Sequence, residues 1–422
     1  MKPLILSTSD IEGGAARATY RLHQGLKQLA VPSQMLVRAK LSRDRTVKAE
    51  KSLLTKLGPQ MNGVPLRRYP KRNRMISAQW FPDAIAKQVA QINPDIINLH
   101  WVCNGFVKIE TLAQLNRPLV WTLQDMWPMT GGCHYNEGCD RYQKACGQCP
   151  QLASDREQDL TRAIWQRKRK AWQDVDLTIV TPSHWMADCV RASSLLGDRR
   201  VEVIPFCLDT QIYRPFDPKF ARDALGLPPD KQIILFGALA ATADQRKGFH
   251  LLVPALQALG QAGWQERVEL AVFGASAPDE PIDLGFKANY LGSFQDDLSL
   301  ALVYSAADVM IVPSLQESFG QTTSEALACG TPVVAFDATG PKDIVDHQQN
   351  GYLVKPYDVQ DLTHGIAWVL AEAERLAQLK VQAREKAERA FALDIQAKQY
   401  LQLYQDLLQP YAAQTVVASV NP

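Results

Sequence analysis

The chain alternates short apolar runs, rich in β-branched residues, with stretches of helical periodicity along most of its length. Such runs are typical of strands buried on both faces, and helices between them favour parallel pairing, because a parallel crossover needs a covering element. In the first half the predicted strands are residues 3–9, 34–39, 95–101, 119–124, 177–181 and 201–205. In the second half they are residues 232–239, 268–274, 288–292, 309–313, 332–336 and 351–354. The predicted fold class is therefore α/β, with two doubly wound units of the Rossmann type.

The length of the chain also favours two domains, because 422 residues exceed what one hydrophobic core usually supports. Residues 206–218 contain prolines and lack periodicity, as connections between domains often do. We therefore predict a first domain over 1–206, a linker over 207–218 and a second domain over 219–390.

Charge and hydropathy exclude several classes of protein. The 46 Lys and Arg residues nearly balance the 44 Asp and Glu residues, so nothing attracts the whole chain to nucleic acid, and no nucleic-acid-binding motif accompanies it. No stretch approaches the roughly 20 apolar residues of a membrane span, and the amino-terminal apolar run is too short for a signal peptide. These features predict a cytoplasmic protein.

A loop and a short helix follow the predicted strand 309–313. Ser318, with Gln321 three residues later, is a capping-box pattern, and Gly330 is typical of a helix end, so we predict a helix over 319–329. Loops at the carboxyl ends of parallel strands are where open α/β sheets bind ligands.

Two acidic residues belong to this segment. Glu317 precedes the helix start, whose free N–H groups and partial positive charge suit an anionic diphosphate, and Glu325 lies two turns further on, facing another part of a ligand. A pair of glutamates at this spacing is common on protein surfaces, so only the surrounding sequence can indicate whether the pair binds a ligand.

The surrounding sequence resembles a known family. Residues 312–320, VPSLQESFG, and residues 325–334, EALACGTPVV, closely resemble the donor-site signature of the family 4 glycosyltransferases. The resemblance extends to Gly340, Asp343 and Asn350. It implies the GT-B fold, in which two Rossmann-like domains face a central cleft, and transfer with retention of anomeric configuration.

The resemblance also implies roles for single residues. Glu325 would hold the ribose hydroxyls of a nucleotide sugar and Glu317 the hydroxyls of the donor sugar, with the backbone at Ser318, Phe319 and Gly320 beside them. No catalytic metal is expected. The terminal residues 391–422 resemble the helix that returns to the first domain in this fold, followed by a tail.

A basic loop follows the first strand of the second domain. Arg246 and Lys247 suit the charge of a leaving diphosphate, although such a loop is also a common solvated helix start. The family often places an arginine closer to the preceding strand, where this chain has Ala238 and Leu239, so Arg246 is expected to serve in its place.

A paired glycine, Gly13 and Gly14, follows the first strand. It does not form the G-x-G-x-x-G dinucleotide fingerprint, which disfavours a dehydrogenase. A plain turn is the alternative. The resemblance makes it the glycine loop that presents backbone N–H groups to the donor, with Gly14 as the main contributor.

Polar residues follow two strands of the first domain. His100 ends one predicted strand and is either a core histidine or part of the site. The resemblance leads us to expect a histidine where this chain has Gln124, which can hydrogen-bond but cannot titrate. Asp125 is then the strongest polar candidate on the acceptor side, with His100 and His134 behind it.

Four cysteines cluster in the segment 131–150, and their spacing resembles a zinc knuckle because thiolates so placed can converge on one ion. We predict structural zinc held by Cys133, Cys139, Cys146 and Cys149, with His134 as a substitute ligand. Disulfides or unlinked thiols are the alternatives. The insertion also resembles a cysteine-bearing loop of the colanic-acid and exopolysaccharide glycosyltransferases. The remaining cysteines are predicted to be reduced core residues: Cys103, Cys189, Cys207 and Cys329.

Two basic stretches, residues 66–74 and 162–172, concentrate positive charge in the first domain. Solvated faces are the default interpretation. The alternative is contact with anionic lipid at the inner face of the plasma membrane, with Trp165 and Trp172 as interfacial anchors.

The sequence therefore predicts a retaining glycosyltransferase of the hexosyltransferase type. It would move a sugar from a nucleoside-diphosphate sugar to a saccharide or lipid-linked acceptor, in polysaccharide biosynthesis. Two alternatives stay open: a sugar-nucleotide epimerase or hydrolase of the same fold, and a donor-binding protein whose catalysis is weakened by Gln124.

Overall fold

The computed structural model describes residues 1–70, 76–237, 244–278 and 282–420, with side chains up to residue 409. It divides the chain into two compact units. The first contains Met1–Pro205 together with the chain from Gln396 onward, and the second contains Phe206–Ile395. Residues 207–218, predicted as a linker, thus pack within the second unit, where the Leu208 N–H donates to the Phe391 carbonyl (2.8 Å).

The first unit is built on a sheet of seven parallel strands in the order β3-β2-β1-β4-β5-β6-β7. The strands are β1 (Pro3–Ser9), β2 (Gln34–Ala39), β3 (Val47–Ala49), β4 (Ile96–Leu99), β5 (Leu119–Thr122), β6 (Leu177–Thr181) and β7 (Val201–Val203). The helices are α1 (Gly13–Gln28), α2 (Leu53–Asn62), α3 (Ile85–Ile92), α4 (Leu160–Trp172) and α5 (His184–Ala192). The three-residue strand β3 was not predicted, because so short a run carries no periodicity.

The second unit has a six-stranded parallel sheet in the order β10-β9-β8-β11-β12-β13. Its strands are β8 (Gln232–Gly237), β9 (Val268–Phe273), β10 (Ala288–Gly292), β11 (Val309–Val312), β12 (Val333–Phe336) and β13 (Gly351–Val354). Its helices are α6 (Pro218–Leu225), α7 (Phe249–Leu259), α8 (Asp297–Ser305), α9 (Gln321–Ala328), α10 (Val359–Ala371) and α11 (Ala373–Phe391). The prediction of two α/β units with parallel sheets is confirmed.

The last helix, α12 (Leu393–Val420), starts in the second unit and packs from Gln396 onward with the first. Tyr400 and Tyr404 are fully buried there in the same cluster as Ile5 of β1. The Tyr404 hydroxyl accepts a hydrogen bond from the Asn98 side chain (2.7 Å), and the Tyr400 hydroxyl pairs with that of Thr122 (2.8 Å). The helix continues to residue 420, so most of the tail expected after it is helical.

The strand order fixes where a ligand is expected in each unit. In each sheet the strand order changes direction once: successive strands are added on one side of β1 and then on the other side from β4, and likewise on the two sides of the β8–β11 pair. The loops that leave the carboxyl ends of these strand pairs run to opposite faces of the sheet and open a crevice, the topological switch point.

Candidate functional site

Two loops meet at the switch point of the second unit. The loop after β8 precedes α7, the loop after β11 precedes α9, and the Leu315 N–H of the latter donates to the Arg246 carbonyl of the former (2.7 Å). Gly248 has φ +74°, and a Cβ there would lie 1.7 Å from the Pro313 carbonyl oxygen. The loops therefore touch through backbone at a position that only glycine fits.

This contact brings Lys247 and Glu317 together, 70 residues apart in sequence. The Lys247 ammonium donates directly to a Glu317 carboxylate oxygen, and both side chains are about four-fifths buried. The Ser314 hydroxyl lies 3.4 Å from the same oxygen. A ligand phosphate that takes over Lys247 would release the Glu317 carboxylate for another partner, such as a sugar hydroxyl.

The backbone of the Glu317 loop is fixed by the loop after β12. The Gly340 N–H donates to the Glu317 carbonyl (2.9 Å), and a Cβ on Gly340 would lie 2.5 Å from the Phe319 Cα. The buried Phe319 ring packs edge-on against Phe206 and Phe391, with centroids 5.3 and 5.7 Å apart. The loop after β12, Phe206 and the end of α11 thus hold this segment in one position.

The predicted capping box of Ser318 and Gln321 is wrong. Helix α9 begins at Gln321, its N-cap is Gly320 with φ +103°, and no side chain caps it. A capping box needs the serine at the N-cap itself, in extended conformation. Ser318 stands two residues too early, because the left-handed turn at Gly320 delays the helix.

Glu325 is nearly buried, with 6% of its surface exposed, and accepts a hydrogen bond from the Tyr304 hydroxyl of α8 (2.9 Å). Burial, followed by the Glu325 charge, raises the pKa of Tyr304 well above its usual value, so the phenol stays protonated and donates. Sequence reasoning missed Tyr304. The one sequence signal was a tyrosine within an apolar helix, because a buried phenol hydroxyl needs a hydrogen-bond partner.

Arg246 is held by its own loop. The Asp244 carboxylate accepts from the Arg246 backbone N–H (3.0 Å) and from its guanidinium (2.5 Å). Ala238 and Leu239, where the family resemblance leads us to expect an arginine nearby, lie outside the described residues. The phosphate role of Arg246 stays a prediction.

The glycine loop of the first unit lies at the other switch point. Gly13 has φ +84° and starts α1, and a Cβ there would meet no atom within 4 Å. The left-handed residue is therefore Gly13, while Gly14, the expected main contributor, is already inside the first helical turn. Space beside Gly13 is what the close approach of a ligand would require.

His100 and Gln124 form a buried polar cluster after β4 and β5. The Gln124 amide nitrogen donates to the Thr19 hydroxyl (2.8 Å) and lies 3.0 Å from His100 Nδ1. Burial lowers the pKa of His100 to about 3, so the ring is neutral. His100 Nε2 and Gln124 Oε1 have no hydrogen-bond partner among the described residues.

Asp125 is the centre of a hydrogen-bonded network. Its carboxylate accepts from the Trp101 indole (2.7 Å) and the Trp127 N–H (2.8 Å), and lies 2.6 Å from His134 Nδ1. His134 Nε2 lies 2.9 Å from the Ser77 hydroxyl. The carboxylate can only accept, so His134 Nδ1 carries the proton of this pair. The network positions the loop after β5, and its members are buried except Trp101, which is partly buried. Asp125 and His134, both named as candidates from the sequence, thus contact each other.

The four clustered cysteines line one small cavity of about 20 Å³, yet they are all free thiols. Among residues 1–70, 76–237, 244–278 and 282–420, no three His, Cys, Asp or Glu side chains are grouped to hold a metal ion. Burial raises the pKa of Cys133 to about 12 and that of Cys146 to about 11, which favours thiols over thiolates in this state. The predicted zinc knuckle is not assembled in this arrangement.

The structure does not support the alternative in which Trp165 and Trp172 of α4 anchor the chain at a membrane. Trp165 and Trp172 are buried in the core of the first unit, and the fully buried Lys168 lies 3.5 Å above the Trp127 ring. Arg167 bonds Glu110 (2.8 Å). The helical period places these side chains inward. Residues 71–74 of the other basic stretch lie outside the described residues. Cys189, predicted to be buried, is only partly so.

Two family models match complementary parts of the chain. Residues 12–212 match the model described as Glycosyltransferase Family 4, and residues 217–386 match Glycosyl transferases group 1. The border between the two models falls within 213–216, at the start of the second unit.

Curated relatives include D-inositol 3-phosphate glycosyltransferases. That of Saccharomonospora viridis is 30% identical over 312 residues, which are 70% of this chain and 66% of that protein. The enzyme named D-inositol 3-phosphate glycosyltransferase 2 of Catenulispora acidiphila is 34% identical over 203 residues, 45% of this chain and 47% of that protein. The chain thus spans about half the length of some of the curated relatives it matches.

Solved structures resemble the chain along nearly its whole length. Sucrose-phosphate synthase from Thermosynechococcus elongatus gives a TM-score of 0.68 at 23% identity, covering 98% of this chain and 100% of that one. The Anabaena protein HepE, solved in complex with UDP and glucose, gives 0.63 at 18% identity, covering 96% and 99%. At these identities the likeness shows the fold.

Proposed function

We propose that this chain, which belongs to the glycosyltransferases with a family 4 amino-terminal and a group 1 carboxy-terminal domain, moves a sugar from a nucleoside-diphosphate sugar to an acceptor hydroxyl. One observation carries the proposal. Lys247 and Glu317 meet directly at the switch point of the second sheet, where the leaving diphosphate and the sugar of a donor would need a cation and a hydroxyl acceptor.

The proposed division of labour follows from the contacts. Lys247 neutralises the charge that develops on the diphosphate as the glycosidic bond breaks, and Glu317, freed from Lys247, accepts hydrogen bonds from the donor sugar. Glu325, oriented by Tyr304, accepts from the ribose hydroxyls. Arg246 adds positive charge, and the backbone at Ser318, Phe319 and Gly320 lines the same loop. No step is assigned to a metal.

The acceptor side is assigned to the first unit. The pKa of about 3 makes the neutral His100 ring a weak base, and the Asp125 carboxylate already accepts from three donors, so neither is suited to act as a general base in this state. This supports transfer with retention, in which the leaving phosphate takes the acceptor proton. Gln124 and His100 are then proposed to hydrogen-bond sugar hydroxyls through their unpartnered atoms, after a small opening of the cluster.

The proposal extends to biological setting. We place the enzyme in the cytoplasm, with a saccharide or lipid-linked acceptor and a role in polysaccharide biosynthesis. Within the described residues, no helix is long and apolar enough to cross a bilayer. The named relatives suggest a phosphorylated inositol as the first soluble acceptor to test, and the HepE complex suggests UDP-glucose as the first donor.

The direct test is transfer from a panel of UDP-, GDP- and ADP-sugars to soluble acceptors, with the anomeric configuration of the product read by NMR. A retained configuration supports the proposal, and an inverted one contradicts its mechanism. Release of free sugar or of an epimerised donor without acceptor would favour the epimerase or hydrolase alternative.

The donor-binding alternative is favoured by one feature, the glutamine at position 124. Gln124→His restores the family residue beside His100 and Thr19. If the wild type binds donor but is inert and the variant turns over, the chain is a binding protein that has lost catalysis. Equal or higher turnover of the wild type supports the enzyme.

Structural zinc is a separate proposal. The shared cavity of the four cysteines supports it, although the sulfurs would have to close on the ion and lose their protons. Metal analysis and thiol titration of the purified protein test it: one zinc with four protected thiols supports the site, and four reactive thiols without metal remove it.

A further inference from the structure

Arg38, near the carboxyl end of β2, is a partly buried cation without an acidic partner. It makes no hydrogen bond or ion pair within the part of the chain that the structure describes, and its Nε is shielded from solvent without a partner. Burial lowers the pKa of its guanidinium, although the charge of Glu12 opposes this. Glu50, which follows β3, instead accepts from the Ser52 N–H (3.0 Å) and hydroxyl (2.8 Å). Burying a cation unpaired costs stability, so its retention indicates a ligand.

Trp101 lies on the same face of the sheet as Arg38, on the other side of β1. The register of β1 and β2 places Arg38 beside Thr8, and the Thr8 N–H donates to the Trp101 carbonyl (2.7 Å). Side chains alternate along a strand, so Arg38 projects from the face of Leu36, and Trp101 packs against the hydrophobic cluster that contains Leu36. Neighbouring strands are about 4.8 Å apart, so roughly 10 Å separates the two backbones.

The Trp101 indole is held in one orientation while part of it stays exposed. Its N–H donates to the Asp125 carboxylate (2.7 Å), and its ring packs against that of His134, with centroids 5.5 Å apart. The remaining surface of the side chain is accessible. Sugar rings carry C–H groups on their faces, and these pack well against the electron-rich face of an indole. Trp101 therefore suits a saccharide.

Both side chains lie at the carboxyl edge of the first sheet, next to its switch point. Trp101 belongs to the loop that leaves β4, and β1, the strand between the two side chains, leads into the glycine loop. Ligands of open α/β sheets bind at this edge. An aromatic platform and an unpaired guanidinium thus flank the same strand where a ligand is expected.

We propose that Arg38 and Trp101 form a subsite for an acceptor saccharide that carries an anionic group, either a phosphate or a carboxylate. Trp101 stacks on the sugar ring, and Arg38 binds the charged group, because the planar fork of a guanidinium fits both anions. This rests on the proposed function, since it takes the first unit as the acceptor side. It narrows the acceptor to an acidic saccharide.

The test is the binding of three soluble probes to the full chain by NMR titration: D-inositol 3-phosphate, glucuronate and neutral inositol. At least one anionic probe should bind tenfold or more tighter than inositol, and the tighter of the two identifies the anion. Arg38→Met should weaken that probe by roughly 10- to 100-fold and leave inositol unchanged. Trp101→Leu should weaken all three by about three- to tenfold.

Arg200→Met and Trp264→Leu are the matched controls. Arg200 is exposed beside the edge strand β7 and binds Glu202 (2.8 Å), whereas Trp264 is a partly buried tryptophan of the second unit. Both substitutions should leave probe binding unchanged. Arg38→Met should also melt no lower than the wild type, because it removes a buried charge that has no partner.

The subsite is overturned if neither anionic probe binds, if inositol binds as tightly as both, or if the preference survives in Arg38→Met. A lower melting temperature of Arg38→Met, with all three probes weakened equally, also overturns it, because Arg38 would then be structural. Thermal shift by nucleotide sugars is measured on the same proteins. Its absence in the wild type contradicts the proposed function even when an anionic probe binds, whereas a normal shift limits any failure to the subsite.

Discussion

The contact between the loops after β8 and β11 predicts that Gly248→Ala disrupts the donor site from a position that bears no functional group. Gly248 has φ +74°, and a Cβ there would overlap the Pro313 carbonyl oxygen at 1.7 Å. Gly226 is the matched control, because it has φ +66° in the same unit and a Cβ there would meet no atom within 4 Å.

The two substitutions separate backbone strain from overlap. An alanine at positive φ costs about 1 kcal/mol, the whole expected effect at Gly226. At Gly248 the Cβ would overlap backbone, so the two loops would have to move apart. The cost then also includes the loss of the hydrogen bond from Leu315 to Arg246 and of the packing around it. We estimate roughly 2–3 kcal/mol in total. For a unit of this size each kcal/mol lowers the melting temperature by about 2–4 °C.

The assay is thermal unfolding of both variants, with calorimetric titration of the best nucleotide sugar. Gly248→Ala should melt at least twice as far below the wild type as Gly226→Ala, and it alone should lose donor affinity, because Lys247 is displaced from Glu317. Equal shifts in the two variants, or unchanged donor affinity in Gly248→Ala, would refute the account of this loop.

Three further predictions concern buried groups. Tyr304→Phe removes a donor from the Glu325 carboxylate, which should cost about 1–3 kcal/mol in urea unfolding and raise the donor Kd, while an unchanged Kd would contradict the orienting role. Burial lowers the pKa of Lys168 from 10.5 to about 7, so the native state releases this proton at a lower pH than the unfolded chain does. The free energy of unfolding of the wild type, relative to that of Lys168→Met, should therefore rise between pH 7 and 10.5. A difference that does not change with pH would contradict this. Burial lowers the pKa of His100 to about 3, so on acidification the unfolded chain binds this proton before the native state does. The free energy of unfolding should therefore fall as the pH is lowered from 6.5 to 3, and it should fall less steeply in His100→Gln.

The sheets were predictable because their signal is local. A parallel strand buried on both faces is a continuous apolar run, and twelve of these runs sit where the pattern placed them, with ends shifted by a few residues. Strand β3 escaped because three residues carry no pattern. The strand predicted over 232–239 ends at Gly237, and its last two residues lie outside the described part of the chain.

The candidate site was only partly predictable, because its contacts depend on side-chain direction and on long-range pairing. Strand ends indicated that Lys247 and Glu317 belong to one edge of the sheet, but not that they bond each other. Nothing local distinguishes a capping serine from one displaced by the left-handed Gly320.

Burial was misjudged where charged and aromatic residues share a helix. In α4 the basic residues suggested a solvent face, yet Trp165, Trp172 and Lys168 all point into the core. The opposite occurred in α2, where leucines at helical spacing are exposed.

Donor binding is the central claim, and a thermal-shift screen of the wild type, Glu317→Gln and Glu325→Gln against UDP-, GDP- and ADP-sugars tests it most directly. At 100 times its Kd, the correct donor should stabilise the wild type by about 2.7 kcal/mol and each variant clearly less. If no nucleotide sugar stabilises the wild type, or if the two variants respond as the wild type does, the assignment of this site to a nucleotide sugar is contradicted.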